Sequence, residues 1–315
     1  MADFFRKNWG VGCLRNRKKT FGLIYTFTCP AACQHCCFAC SPDREEKMDF
    51  RLAEQIIKSP YFMREFTTVF FSGGEALLYF DEVIRLMGEA KGHYQIWCAT
   101  NGFWGDNPVR AEAMIRKLKQ CGLTHLVVSY DEFHANFVPA SSIQTILKLC
   151  KKYLLDVEVQ IAACQSSWRL ADTANILLKS ITEIPVIEAA VLLVGAAKEN
   201  LDEKDLIHEH EIVEDRCLGS DAIAIFPDGS VFSCCSPVSY STPLLRQGVL
   251  RFGMSDAQVR SVIENDSLFR SLVKYGVNGT CRRKWPDYSL SQKEQYVNVC
   301  DLCHHALSQI PYKEE

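Results

Sequence analysis

The chain has 315 residues, 48% of them hydrophobic and 23% charged, with a formal net charge of −3. That length holds one large domain, or a large one with a small partner, and the near-neutral balance gives no sign of nucleic-acid binding. The longest apolar run, Ala189 to Ala197, is too short to span a bilayer, and the start Met1-Ala2-Asp3-Phe4-Phe5-Arg6 lacks a signal-peptide core, so a cytoplasmic location is expected.

In chain order, apolar strand-like runs at 22–28, 67–72, 95–100, 124–130, 157–163 and 188–195 alternate with helical patterns near 51–59, 80–91, 108–121, 142–154 and 169–181. Asp106-Asn107-Pro108 is a polar cap followed by proline, and Gly122 a stop. Between them Ala111, Met114, Ile115 and Leu118 form a stripe of helical period. Repeated β-α units with continuous apolar strands predict a parallel sheet covered by helices. Six such units are too few for a closed eight-stranded barrel, which leaves a partial (β/α)6 barrel or a doubly wound sheet. In either, the active site lies at the C-terminal strand ends. The loop at Cys29, Ser72-Gly73-Gly74-Glu75, Thr100-Asn101-Gly102 and Ser129-Tyr130-Asp131-Glu132 all fall there.

After about residue 205 the pattern changes. Residues 223–226 and 231–233 read as a β-hairpin turning at Asp228-Gly229, with Cys234 and Cys235 directly after it. A helix around 256–274 follows, then a polar stretch, then Cys300-Asp301-Leu302-Cys303. The expected division is a core over 1–205, with a basic arm over 1–20, and a small α+β domain over 206–315.

Sixteen cysteines are too many for a cytosolic chain without a purpose, because disulfides are disfavoured there. Cys13, Cys98, Cys121, Cys150 and Cys164 lie scattered and read as small packing hydrophobes. Cys29, Cys33 and Cys36 form a C-x3-C-x2-C run. Three thiolates can hold three irons of a [4Fe–4S] cluster and leave the fourth iron open, whereas electron carriers usually have four cysteine ligands. Zinc is the alternative, with His35 as an awkwardly placed fourth ligand. Cys37 and Cys40 are surplus, and Cys40 reads as packing or a weak hydrogen bond, with ligation as the other reading. Paired glycines at Gly73 and Gly74 let backbone approach a ligand closely, and Glu75 beside them can hold an ammonium group.

The late cysteines ask for a second metal. Cys217, Cys234, Cys300 and Cys303 supply the four thiolates of a closed [4Fe–4S] cluster, with structural zinc as the alternative. His304 and His305 read as solvated. Cys235 points away from Cys234 in an extended chain, toward the active-site cavity, where its weak S–H bond suits hydrogen-atom donation. Asp131, Glu132 and His134 read as positioning groups for substrate or cofactor. The basic stretches Arg15 to Lys19 and Arg282 to Lys284 read as solvated surface, with contact to an acidic leader peptide as the other reading.

The cysteine triplet with Ser72-Gly73-Gly74-Glu75 one strand later resembles the radical S-adenosylmethionine (radical SAM) superfamily over roughly residues 20–200. The resemblance implies a partial (β/α)6 barrel that binds S-adenosylmethionine at the open iron and generates a deoxyadenosyl radical. By position it implies that Gly73, Gly74 and Glu75 hold the cofactor's amino group, and that Asn101 and Ser129 meet its ribose or carboxylate. Val194, Gly195 and Ala196 would flank the adenine, and His35 would pack on it. The hairpin ending in cysteine resembles the auxiliary-cluster domains of peptide-modifying members, which implies two [4Fe–4S] clusters. A narrower resemblance, carried by Cys33 to Pro42, Asn101 to Gly105, Ser129 to His134, Val194 to Lys198 and Cys234 to Pro237, is to the radical SAM peptide epimerases that make epipeptides. It implies conversion of L- to D-residues in a ribosomal precursor peptide, with Cys235 as hydrogen donor, Asp221 as an active-site aspartate, and a flavodoxin- or ferredoxin-like electron donor. A crosslinking or thioether-forming peptide maturase is the runner-up, and a non-catalytic metal-binding or redox-sensing protein the third reading.

Overall fold

Strand β1 (Thr20–Thr26) is buried along its whole length, as a strand flanked on both sides must be. A computed structural model of the chain describes residues 19–177, 183–208, 215–217, 222–287 and 291–312. One edge of β1 pairs in parallel with β2 (Thr68–Gly73), and β3 (Gln95–Thr100), β4 (Leu123–Ser129), β5 (Asp156–Ala163) and β6 (Val186–Ala190) follow, each parallel to the one before. The order from β6 back to β1 is strictly sequential. A doubly wound sheet reverses its strand order within its β-α repeats at a switch point, and β1 to β6 do not. The fold is therefore the partial (β/α)6 barrel.

Helices α1 (Phe50–Lys58), α2 (Pro60–Glu65), α3 (Phe80–Ala90), α4 (Pro108–Gln120), α5 (Glu132–Ala135), α6 (Ala140–Lys152) and α7 (Leu170–Leu177) occupy the connections. The start of α4 is the expected one: the Asn107 side chain accepts from the N–H of Val109 and Arg110, and Pro108 opens the first turn. Its buried face carries Ala111, Ile115 and Leu118. These helices and the sheet enclose one apolar core in which Phe21, Phe71, Leu86 and Trp104 are fully buried. The expected helix over 169–181 is seen as far as Leu177, and its remainder lies outside the described residues.

The sheet continues past residue 205. Strand β7 (Ala222–Ile225) pairs in parallel with the other edge of β1, matching Thr20 to Ala222 and Leu23 to Ile225. Antiparallel β8 (Ser230–Phe232) and β9 (Arg246–Val249) complete nine strands. The hairpin turns at Gly229, whose φ of +81° and 2.2 Å approach to the Leu250 carbonyl leave no room for a Cβ. After the short α8 (Ala197–Asn200), the tail carries α9 (Asp256–Ile263), α10 (Ser267–Lys284) and α11 (Val299–Ser308).

Three expectations are corrected. The sixth strand ends at Ala190 rather than 195, because residues 191–195 turn away to pack on the cysteine loop. The single helix over 256–274 is two, since α9 stops at Ile263 and a new helix starts after Asp266. Strand β9 was not expected. Among the described residues no helix is long and apolar enough to cross a membrane.

Candidate active site

The loop after β1 folds back on itself. Cys29 N–H donates to the Ser41 carbonyl at 3.0 Å, Cys36 N–H to Cys33 at 3.0 Å, and Ala39 N–H to Cys36 at 3.1 Å. Ala39 takes a left-handed φ of 49° to close this turn. Cys29, Cys33 and Cys40 are buried, and Cys36 is partly so. Burial pushes the Cys29 thiol up to about 12 and raises Cys33 also. Cys36 moves the other way, to about 6, first because the Cys40 thiol donates to it. The Cys40 N–H adds a second bond to the Cys36 sulfur at 3.3 Å. Cys40, read as surplus, is thus a hydrogen-bond donor to Cys36. Its spacing, one turn after Cys36, was the only sequence signal.

All three thiols open onto a cavity of about 270 Å³ at the C-terminal ends of the strands, as expected of such a barrel. That is close to the lower end of the range for small-molecule sites, roughly 300–1,000 Å³. Gly73, Gly74, Asn101, Ser129 and His35 line it. The glycines are required by close approach: a Cβ on Gly73 would lie 2.4 Å from the Thr26 carbonyl, and one on Gly74 2.3 Å from that of Thr28.

Glu75 is not in the cavity wall. It is fully buried beneath it, and both carboxylate oxygens are engaged. Oε2 accepts from the Asn101 N–H at 2.7 Å, Oε1 from the Leu77 N–H at 3.2 Å, and the Thr100 hydroxyl lies at 3.0 and 3.1 Å from the two. Thr100 Oγ1 in turn accepts from the Gly102 N–H and the Trp104 Nε1–H, both at 3.0 Å, so its own proton goes to Glu75. The carboxylate holds the β3 turn rather than facing a ligand, and this corrects the expected ammonium contact. Burial pushes Glu75 up to about 7, partly countered by these bonds. Thr100, the pivot of the network, was missed because a threonine at a strand end carries no distinctive pattern.

Val194 and Gly195 also depart from expectation. They sit behind the cysteine loop, with Ala196 N–H donating to the Cys36 carbonyl at 2.9 Å. Gly195 has φ +58°, and a Cβ there would meet the Cys36 and Cys37 carbonyls at 2.5 and 2.4 Å. The wall on this side is Ala189 to Leu192 instead.

Asp131 and His134 form a buried pair at the rim. His134 Nδ1 lies 2.9 Å from Asp131 Oδ1, which also accepts from the Phe133 and His134 N–H groups, while Oδ2 takes the Ala162 N–H at 2.9 Å. His134 and these N–H groups hold Asp131 well below the usual carboxylate range against its burial, and Asp131 raises His134 in return. His35 packs against Phe133 with ring centroids 4.7 Å apart and tilted by 36°, and its buried Nδ1 has no hydrogen-bond partner. Glu132 instead accepts from the Trp168 N–H at 2.9 Å.

Of the late thiols, Cys217, Cys234 and Cys303 pack against the apolar cluster that also contains Cys29 and Cys33, with Phe27, Phe226, Phe232 and Leu302, while Cys300 packs against a neighbouring one. Cys234 is raised first by burial, then by Cys235, Cys300 and Cys217. Cys303 is raised by burial, then by Cys300, Cys217 and Cys281. Cys217 and Cys300 are neighbours of both. Behind Cys217, Asp215 caps the second half of α10: its carbonyl and carboxylate accept from the Val277 and Asn278 N–H groups, each at 2.9 Å, where Gly276 breaks the helix with φ +73°. His304 and His305 are not simply solvated. His304 Nδ1 lies 2.8 Å from Thr242 Oγ1, and His305 Nε2 3.0 Å from the Ser291 carbonyl.

Cys235 is exposed, and the cavity wall here is Pro237, two residues on, so the expected placement in the wall is not seen. Asp221 lies outside the described residues, as do Cys13 and Arg15 to Lys18. Arg282, Arg283 and Lys284 are exposed, and Cys98, Cys150 and Cys164 are buried as packing residues.

The donor set fits an iron–sulfur cluster better than one zinc ion. Zinc with Zn–S of roughly 2.3 Å brings tetrahedral sulfurs to about 3.8 Å of one another. Among the described residues, only His35, Asp131 and His134 form a group of three whose ligand atoms all lie within 4.8 Å, and no cysteine triplet does.

Comparison with known proteins gives the family and the fold. The Radical SAM superfamily model matches residues 23–162. The chain is 31% identical over 238 residues to "Putative peptide biosynthesis protein YydG" of Bacillus subtilis (strain 168), covering 72% of each chain. The chain belongs to the radical SAM superfamily, whose members use S-adenosylmethionine and a [4Fe–4S] cluster. Among solved structures, anSMEcpe with bound AdoMet and Cp18Cys peptide shares the fold with a TM-score of 0.57 at 14% identity, over 92% of this chain and 96% of that one. BtrN in complex with AdoMet and 2-DOIA gives a TM-score of 0.50 at 15% identity, over 88% of this chain and 96% of that one.

Proposed function

We propose that this chain is a radical SAM enzyme that converts L-residues of a ribosomal peptide into D-residues. One observation carries the reading: two thiol groups border a single apolar cluster, one opening onto the cavity and the other bearing exposed Cys235 at its edge. The similarity to a peptide biosynthesis protein supports the substrate class.

In this reading Cys29, Cys33 and Cys36 hold the first [4Fe–4S] cluster, and the Gly73-Gly74 backbone, Ser129 and His35 hold the cofactor. When bound, cluster and cofactor supply a carbon-centred radical able to take a hydrogen atom from a substrate Cα. Ala99, Ala162 and Ala189 keep that part of the wall small and apolar. Cys217, Cys234, Cys300 and Cys303 hold a second [4Fe–4S] cluster. Cys235 returns hydrogen to the opposite face: its S–H bond breaks homolytically, a new Cα–H bond forms, and the sulfur is left one electron short. One electron from a flavodoxin- or ferredoxin-like donor and one proton from solvent restore the thiol. Asp221 positions the peptide.

The test is anaerobic reconstitution, followed by reaction in heavy water with a ribosomal precursor peptide. Epimerisation keeps the heavy-atom formula and adds one deuterium at Cα, and 5′-deoxyadenosine appears with it. The absence of Cys235 from the cavity wall favours one other outcome, a crosslinking or thioether-forming maturase, whose product loses two hydrogens.

A further inference from the structure

Asn101 is buried, and both ends of its side chain are committed. Oδ1 accepts from the Phe103 N–H at 3.0 Å, which fixes the orientation of the amide. Nδ2 then faces the sulfur of Cys29 at 3.4 Å. The backbone of the same residue is pinned from below by Glu75, at 2.7 Å. A side chain held at both ends cannot swing out to a ribose or a carboxylate, so the cofactor contact expected from the sequence does not describe this geometry.

We propose that Asn101 is a positioning residue for the first cluster. Its amide N–H donates to the Cys29 thiolate and raises the reduction potential of the cluster bound there. The inference rests on the reading that Cys29, Cys33 and Cys36 hold a [4Fe–4S] cluster. The physical reason is charge. Reduction adds one negative charge that spreads onto the ligand sulfurs, and a donor at sulfur stabilises the reduced form more than the oxidised one. Cys36 receives the equivalent donation from the backbone N–H of Cys40, which no side-chain change can remove. At Cys29 the donor is the Asn101 side chain, as the Cys40 thiol is at Cys36, so substitution of Asn101 can alter this property. The Glu75–Thr100 network explains why a buried carboxylate stands behind a turn of only two residues: it fixes the amide against the sulfur.

The experiment is an EPR-monitored redox titration of the reconstituted full chain and of Asn101→Ala and Asn101→Asp, with S-adenosylmethionine binding measured by equilibrium dialysis and thermal midpoints recorded. Asn101→Asp keeps the acceptor for Phe103, loses the donor to Cys29 and sets a carboxylate beside that sulfur, so its potential should fall at least as far as that of Asn101→Ala. In Asn101→Ala the reduction equilibrium should fall about tenfold, or about 59 mV for one electron. A wild-type potential in Asn101→Asp overturns the proposal, because the turn alone would then explain the alanine result. An unchanged potential with at least tenfold weaker cofactor binding also overturns it, and returns Asn101 to cofactor contact. Wild-type chain that takes up no iron and shows no cluster signal refutes the cluster reading itself, and the proposal with it.

Discussion

Gly195→Ala offers a quantitative check on how the cysteine loop is held. The residue sits at φ +58°, where an L-residue costs about 1–2 kcal/mol. Its new methyl would begin 2.4 Å from the Cys37 carbonyl oxygen, whereas ordinary contact starts near 3.4 Å, so the loop must yield by about 1 Å. The obstructing atoms are backbone, and overpacking of this kind costs about 1–3 kcal/mol more. The sum, about 2–5 kcal/mol, corresponds to a melting shift of about 3–8 °C for a chain of this size. Because Ala196 N–H is bonded to the Cys36 carbonyl, the displaced loop carries Cys36 with it. Iron uptake at the first site should therefore fall along with stability. Two other glycines act as controls. Gly253 has φ +89° but nothing within 4 Å, so Gly253→Ala should cost only about 1–2 kcal/mol and leave iron unchanged. Gly88 lies inside α3 with open space around it, and Gly88→Ala should stabilise by about 0.5–1 kcal/mol. Thermal melts with iron analysis after anaerobic reconstitution read all three. If Gly195→Ala melts like Gly253→Ala and keeps its iron, the close packing of this loop on Cys36 does not constrain the site.

Cys235→Ala should still cleave the cofactor, measured as 5′-deoxyadenosine, but make no D-residue by chiral amino-acid analysis; normal epimerisation would end the donor assignment. Full reconstitution should give about eight irons per chain and Cys234→Ala about four, without loss of the first cluster's EPR signal. Glu75→Gln places an amide N–H against either the Leu77 or the Asn101 N–H. It should destabilise the folded chain by about 2–3 kcal/mol in denaturant melts at pH 5. The same residue gives a pH test. Its folded value of about 7 lies above its ordinary 4.5, so the folded chain holds the extra proton. The stability this provides is full below about 4.5 and is lost as pH rises through about 7. Apo wild type should therefore lose on the order of 3 kcal/mol relative to Glu75→Gln between pH 4.5 and 8.

The strands β1 to β6 and their helices were legible because each is long, apolar and punctuated by a cap or glycine, as at Asn107 and Gly122. That the cysteine loop, Gly73, Gly74 and Ser129 line one cavity was legible because the sites of such barrels lie at the strand ends. What escaped depends on contacts far apart in sequence. Arg246-Gln247-Gly248-Val249 has no alternation of its own and becomes a strand because β8 offers it an edge. Glu75 looks like a ligand-binding carboxylate until its neighbours on β3 are known. Val194 and Gly195 follow a strand end but are drawn behind the loop by the Cys36 carbonyl. The choice between two barrel-like sheets needed strand order, which no local pattern contains.

The parallel pairing of β7 with β1 has a consequence for how such a chain can be cut or recombined. A chain ended at residue 205 would leave the Thr20–Thr26 strand, buried along its length, with a bare hydrogen-bonding edge lined by Phe21 and Leu23. Such an edge invites pairing with other chains, so the truncated piece should aggregate rather than act as a minimal catalyst. Exchange of tails between related enzymes meets the same constraint. A donor tail has to bring its own partner for β1, or the join has to fall after Ile225, so that the recipient keeps the strand that closes its edge.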